Sequence, residues 1–249
     1  MNFLPGWFPA GAVMAVDDRI STTIAVSDIL GWWDVDEGSG TTIGDKVSSP
    51  HDGTAAGTSW VTDGPAAIPN GLDFVPANNS WVDFGHNYDP PAGTVCSWVR
   101  IDNFSPDGVA GSIIGEGNGG GDFDLNTTST SSIFGRTRIG GSDRTVTVAG
   151  LSTGQLYFMA YGWDTTDTVS EIELWVDGAS VDANSGAWGS QALSSSNLTS
   201  GRRSSGVAQR ELDGQVYQYL LFNRKLTLAE IQDLHNGGAG ATFEMMQFA

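Results

Sequence analysis

Leu212-Asp213-Gly214-Gln215-Val216-Tyr217-Gln218-Tyr219-Leu220-Leu221-Phe222-Asn223-Arg224-Lys225-Leu226-Thr227-Leu228-Ala229-Glu230-Ile231 runs from a strand into a helix. Its first half is rich in β-branched and aromatic residues, the composition of a strand. The second half carries a helix start, because Thr227 and Glu230 have capping-box spacing: the hydroxyl accepts the Glu230 amide and the carboxylate reaches back. Leu228, Ile231 and Leu234 then recur on one face, and Gly237-Gly238 ends the helix. No other segment of the chain reads as helix.

Outward from this stretch the chain is a series of short strands. Leu72-Asp73-Phe74-Val75 and Trp81-Val82-Asp83-Phe84 are separated by Pro76-Ala77-Asn78-Asn79, a turn composition. Thr94 to Ile101 places Val95, Val99 and Ile101 on one side and Cys96 and Trp98 on the other. Asp177-Gly178 between apolar runs signals a hairpin whose type I′ turn needs positive φ. Many short strands with glycine-rich turns predict an all-β sandwich or barrel.

Three separated segments resemble, in order, the laminin-G-like domains with the concanavalin A-type jelly-roll fold. They are Trp33-Asp34-Val35-Asp36-Glu37-Gly38-Ser39-Gly40 with Asp45 and Asp52-Gly53-Thr54, then Leu156 to Trp163 with Ile172 to Gly178, and then the terminal strand and helix. The resemblance implies two antiparallel sheets, one short C-terminal helix, and a fold that binds glycans or proteins. It covers Leu30 to Gly238 and divides the chain into an extended N-terminal arm (1–28), the sandwich (29–238) and a C-terminal tail (239–249).

Bulk composition narrows the partners. A net charge of −18 with 11 basic residues leaves no basic footprint for nucleic acid or for anionic membranes. Arg202-Arg203 is a basic pair and reads as a solvated loop. No apolar run reaches the roughly 20 residues that span a bilayer. Cys96 is alone, so no internal disulfide forms, and its strand position reads as a small buried hydrophobe.

Residues 1–16 are apolar and end in Ala12-Val13-Met14-Ala15, which has the character of a cleavage site. However, no basic residue precedes the apolar part, and Pro5 and Pro9 interrupt any helix there. An arm is therefore expected, whose Phe3, Leu4, Trp7 and Phe8 anchor the chain to a partner subunit. This opening is similar to the starts of small tailed-bacteriophage virion proteins.

Related glucanases carry paired acids about 5 Å apart as nucleophile and acid/base. The nearest match is Glu171-Ile172-Glu173-Leu174-Trp175-Val176-Asp177, with Glu and Asp in inverted order and Asp177 in a turn. Simple alternation accounts for it, with Ile172, Leu174 and Val176 inward and Glu171, Glu173 and Trp175 outward. Gly115-x-Gly117-x-x-Gly120 lacks the helix that a dinucleotide fingerprint needs, and His51, His86 and His235 are scattered. No catalytic residue is assigned. Calcium is a candidate cofactor, since Asp34, Asp36, Glu37 and Asp45 cluster, as do Asp122 with Asp124 and Asp164 with Asp167. Tyr217 stands where relatives place a calcium-binding aspartate.

For sugar binding, Trp60, Trp163 and Trp188 flank loop-like segments and offer stacking platforms. Asn78, Asn126 and Asn197 head glycosylation sequons. The expectation is a non-catalytic binding or structural module on a virion surface, as a decoration, fibre or tail component. It would face glycans or a host-surface polysaccharide and join other virion subunits, as a homo-oligomer or part of a larger assembly. The alternatives are a secreted bacterial lectin or adhesin, and, disfavoured, a glycoside hydrolase.

Overall fold

The computed structural model describes residues 24–47, 51–88, 90–106, 108, 110–116, 123–128, 130–139, 142–166, 171–185, 196–202 and 211–246. The strands in chain order are β1 (Ile29–Trp33), β2 (Thr42–Ile43), β3 (Gly53–Ala56), β4 (Ser59–Val61), β5 (Gly71–Phe74), β6 (Trp81–Asp83), β7 (Ala92–Asn103) and β8 (Ser112–Gly115). There follow β9 (Phe123–Thr127), β10 (Ile133–Ile139), β11 (Ser142–Val148), β12 (Leu156–Asp164), β13 (Ile172–Val176), β14 (Ala179–Asn184), β15 (Thr199–Ser200) and β16 (Asp213–Phe222). Helix α1 (Leu228–His235) and the single turn α2 (Phe243–Met246) complete the chain.

The strands form two antiparallel sheets of eight. The first runs β14-β13-β12-β7-β16-β5-β4, with β1 also paired to β16; the second runs β11-β10-β9-β8-β15-β6-β3-β2. The expected all-β sandwich with a short C-terminal helix is therefore the fold. β5 and β6 lie in different sheets, so the turn Pro76–Asn78, with Asn79 left-handed at φ 51, is a corner between layers. Asp177 and Gly178 do close a hairpin, at φ 50 and 75.

Two apolar clusters follow from the alternation of the first sheet. Between the sheets lie Val95, Val99 and Ile101 of β7, Met159 and Tyr161 of β12, and Tyr219 and Leu221 of β16. On the outer face of the same sheet lie Cys96, Trp98, Phe158, Ala160, Leu220 and Phe222, capped by Ile231 and Leu234 of α1. The first sheet is thus buried on both faces. This corrects the reading of β13: Trp175 does not face solvent but is 1% exposed beneath α1, and Glu171 is also buried. Between the sheets, Gly135 is required, because a Cβ there would meet the Tyr161 ring at 2.1 Å.

The helix start is as its sequence predicts: the Glu230 amide donates to Thr227 Oγ1, and the Thr227 amide donates to Glu230. Leu228, however, is 43% exposed, and its place on the buried side is taken by Leu226, which with Ile231 forms a hydrophobic staple across the cap. Asn236, left-handed at φ 48, closes α1 before the glycines. Residues 24–28, assigned to the arm by composition, pack on the sandwich: Ile24 is buried, and Asp28 receives Arg224 Nε at 2.7 Å. In the C-terminal segment, Ala241 and Phe243 are buried beside Trp32.

Candidate functional site

The outer face of the second sheet is polar where that of the first is apolar. Cross-strand register places Asp83, Thr199, Gly115, Asp124, Arg136 and Thr145 in one row across six strands. A second row carries Ser112, Asn126, Phe134 and Thr147. These side chains alternate with Ile114, Phe123, Leu125, Ile133 and Val146, which fill the core and so fix the direction of the polar set.

Ion pairs organise one end of this face. Arg136 Nη2 donates to the buried carboxylate of Asp124, and Arg138 Nη2 donates to Asp143 at 3.0 Å. Arg136 Nη1 also lies 3.6 Å from Asp143, so two guanidiniums and two carboxylates form one charge-balanced group. At the other end the Arg202 guanidinium sits 3.9 Å over the Trp81 ring, a cation–π contact that corrects its reading as a merely solvated loop residue. Asp83 accepts from Asn197 Nδ2 at 3.0 Å.

Between the two ends lie Asn126 and Ser112. Asn126 is fully buried, and neither its side-chain oxygen nor its nitrogen has a hydrogen-bond partner; the same is true of Ser112 Oγ and Arg136 Nε. Leaving such a group unpaired costs about 1–3 kcal/mol each. Burial also removes Asn126 as a glycosylation acceptor, which needs an exposed loop.

Of the tryptophans expected to bind sugar, Trp163 and Trp60 do not lie on this face. Trp163 is a core residue, 2% exposed between Phe123 at 4.5 Å and Tyr161 at 5.8 Å between ring centroids, with Nε1 donating to Pro90 O. It offers no ring face to a ligand, because the aromatic run of β12 alternates into the core rather than onto a rim. Trp60 is half-buried on edge strand β4 of the first sheet, and its Nε1 donates to Gly40 O at 3.0 Å. Trp188, and the anchoring set Phe3, Leu4, Trp7 and Phe8, lie outside the described residues. So do Asp122, Asp167, Arg203 and Gly117 to Gly121.

The acids singled out by sequence have structural partners. Glu173 accepts from Ser180 at 2.7 Å and pairs with Lys225 at 3.0 Å, while Asp177 accepts the Phe158 amide at 2.8 Å. Asp34 accepts Trp32 Nε1 and Gln218 Nε2, Asp36 pairs with Lys46, Glu37 accepts the Gly44 amide, and Asp45 accepts the Trp32 amide. Asp164 accepts from Thr166. Among the described residues no cluster of three or more metal-ligating side chains occurs. Tyr217 does not face a cation loop; its hydroxyl donates to Asp63 at 2.9 Å.

Trp81, Ser112, Arg136 and the ligand potential of Asn126 escape a sequence reading, and Asp124 stands out there only as a candidate calcium ligand. The one signal was alternation, Phe123-Asp124-Leu125-Asn126 and Ile133-Phe134-Gly135-Arg136, and a solvated sheet face gives the same pattern.

A two-sheet antiparallel sandwich with one outer face covered by a helix is a jelly-roll β-sandwich. Residues 76–232 match the concanavalin A-like lectin/glucanases superfamily through its laminin-G branch, and the chain belongs to that family. The binding domain of botulinum neurotoxin DC, solved in complex with rat synaptotagmin II, is similar with a TM-score of 0.63 at 9% identity, over 85% of this chain and 52% of that one. A Trypanosoma rangeli sialidase mutant displaying trans-sialidase activity has a TM-score of 0.61 at 18% identity, over 88% of this chain and 34% of that one. The same organism's sialidase with 2,3-difluorosialic acid gives 0.61 at 19%, over 85% and 33%. These likenesses are of fold, and the chain spans about half of the toxin chain and a third of the sialidases. No curated protein matches the chain.

Proposed function

We propose that the protein is a non-catalytic binding and display module whose ligand face is the outer face of the second sheet, and that its ligands are glycans. The observation that carries this reading is the Asp83-to-Arg136 row with Trp81 and Arg202 at its flank. Ring faces with amide and hydroxyl groups are what sugar recognition uses. The absence of catalysis is supported by Glu173 and Asp177 being held by Lys225 and by the Phe158 amide. The setting is a virion surface, as a decoration, fibre or tail component, with the arm as anchor. It is supported by the phage-like opening Leu4-Pro5-Gly6-Trp7-Phe8-Pro9.

A glycan array probed with purified protein tests the ligand. Binding weakened at least about tenfold by Trp81→Ala or Arg202→Ala is expected, matching the loss of one stacking or cation–π platform. No binding to any glycan would instead favour a purely structural decoration protein. Hydrolysis of a bound glycan, lost in Glu173→Gln, would make it an enzyme.

A further inference from the structure

His51 and His86, scattered in the sequence, are stacked in the fold. Their ring centroids lie 4.0 Å apart with 26° between the planes. The Tyr88 ring stands edge-on to both, 5.8 Å from His51 and 4.5 Å from His86. Trp33 of β1 donates its Nε1 to His51 O at 2.9 Å and meets Tyr88 edge-on at 6.5 Å. On the other side, His86 O accepts the Leu198 amide at 2.7 Å, and the Tyr88 amide donates to Glu116 Oε1 at 2.6 Å. The stack therefore joins the connection between β2 and β3 to the segment that leaves β6. Both imidazoles are half-buried, so solvent protons reach them.

Histidine changes charge near pH 6.5, and its neighbours decide what that does. Among the described residues, the charged and titratable groups around the pair are Asp45, Lys46 and Asp52 on its own connection, Asp83 on β6, Tyr88, and Glu116 after β8. Lys46 is turned to Asp36. The acids are occupied: Asp45 accepts the Trp32 and Val47 amides, Asp52 the Asp45 amide, Asp83 the Gly85 amide and Glu116 the Tyr88 amide. Asp45 and a charged His51 attract each other, so one positive charge is tolerated. A second would stand 4.0 Å from the first, ring to ring, with little water between them. His86 bears that cost, since burial first and then His51 hold it below the ordinary value. The contribution of the neutral pair is thus complete above the ordinary value and is lost as pH falls through the lower one.

We propose that the His51–His86 stack is an acid-sensitive latch, which pins the connection between β2 and β3 to the end of β6 while the rings are neutral and releases it, with the sandwich still folded, when both are charged. Release withdraws His51 O from the Trp33 indole and bares the Tyr88 ring, so one end of the sandwich differs between neutral and acid surroundings.

Hydrogen exchange of the full chain, read by mass spectrometry at pH about 7.5 and about 5 and corrected for the intrinsic rate, tests the latch. In the wild type, the stretch from Gly44 to Ala56 should exchange at least about tenfold faster in acid, while β7 and β16 stay protected. His86→Phe keeps a flat ring that cannot be charged and should stay closed at both pH values; His51→Phe gives the same test from the other side. His86→Ala removes the stack and should open the connection at both. Equal exchange at the two pH values in the wild type overturns the latch. So does acid opening that survives in both phenylalanine variants, because Asp45, Asp52 or Glu116 would then be the group that titrates. Wild-type protection in His86→Ala at the higher pH would show that the stack pins nothing. Loss of protection in acid that includes β7 and β16 would be unfolding of the whole sandwich, and would overturn it as well.

Discussion

Asp34 carries a carboxyl into the apolar cluster outside the first sheet, 2% exposed. Burial pushes its pKa up to about 6, although Gln218, Trp32 and the Phe243 amide all donate to it; nearby Glu244 adds to the rise. A carboxyl raised in the fold stabilises it below the unfolded value, near 4, and that contribution disappears as pH climbs through about 6. The displacement corresponds to about 3 kcal/mol across the transition. Glu230 has the opposite sign. Burial alone would raise it, but Arg224 and Thr227 outweigh that and hold it at about 2, so its contribution is present above the usual carboxylate range and fades as pH falls through about 2. Asp34→Asn should therefore be near neutral at pH 4 and progressively stabilising from pH 5 to 7, read from melts at each pH. A constant difference across that range would show that Asp34 does not titrate with folding. None of this was legible in the sequence, where Asp34 stood with Asp36, Glu37 and Asp45 as acids of one loop; Asp34 alone of the four is buried, and its burial is set by the remote contacts of Gln218 and Phe243.

At the scale of the element, local chemistry and tertiary packing divide what could be foreseen. The α1 start rests on groups three residues apart, so Thr227 and Glu230 were readable in advance. Arg224 reinforces that cap, with two bonds to Glu230 at 2.6 and 2.9 Å, and Thr94 of β7 holds the approach through Arg224 O and the Leu226 amide. Thr227→Ala should cost about 1 kcal/mol, measured by urea unfolding, with the β signal of circular dichroism retained. A loss under a few tenths would mean that Arg224 alone holds Glu230. β16 was recognised as a strand, but not its inner pattern. Strict alternation would put Val216, Gln218, Leu220 and Phe222 on one face. A bulge between Val216 and Gln218 instead sends Val216, Tyr219 and Leu221 into the core and leaves Gln218 to bind Asp34 and Ala241 O. A bulge answers to the register of the neighbouring strand, β7, and leaves no local mark.

At the scale of the whole molecule, the polar face of the second sheet exists because β8, β9, β10, β15 and β6 come together from distant parts of the chain. The family resemblance supplied that architecture; it did not supply which outward residues would adjoin. The sugar-stacking choice of Trp163 failed for a related reason, since an aromatic in a strand goes wherever the pleat sends it. The proposed arm has a sharper test than its composition suggested, because Ile24 and Asp28 belong to the packed body. Deleting residues 1–23 should leave a folded monomer with a near-native melt and abolish assembly, checked by light scattering and by incorporation into particles. Left in water, Phe3, Leu4, Trp7 and Phe8 would each forgo roughly 1.5–3 kcal/mol of burial. Assembly unchanged by the deletion would remove the anchor.

The pairing of β1 with β16 also sets a clock. Trp32 lies opposite Leu220 and Trp33 opposite Tyr219, so the first described strand to leave a ribosome meets its neighbour only after the other strands of the sandwich have been made. At ordinary elongation rates the two tryptophans wait roughly ten seconds or more before they can dock. β7, too, lacks one flank until β16 arrives. The body should therefore close only once β16 has emerged, on the millisecond-to-second scale of chains dominated by distant contacts. A chain stopped at Leu212 should show no near-ultraviolet tryptophan signal however long it is left. Appearance of that signal would mean that the first fifteen strands can hold a core without the last.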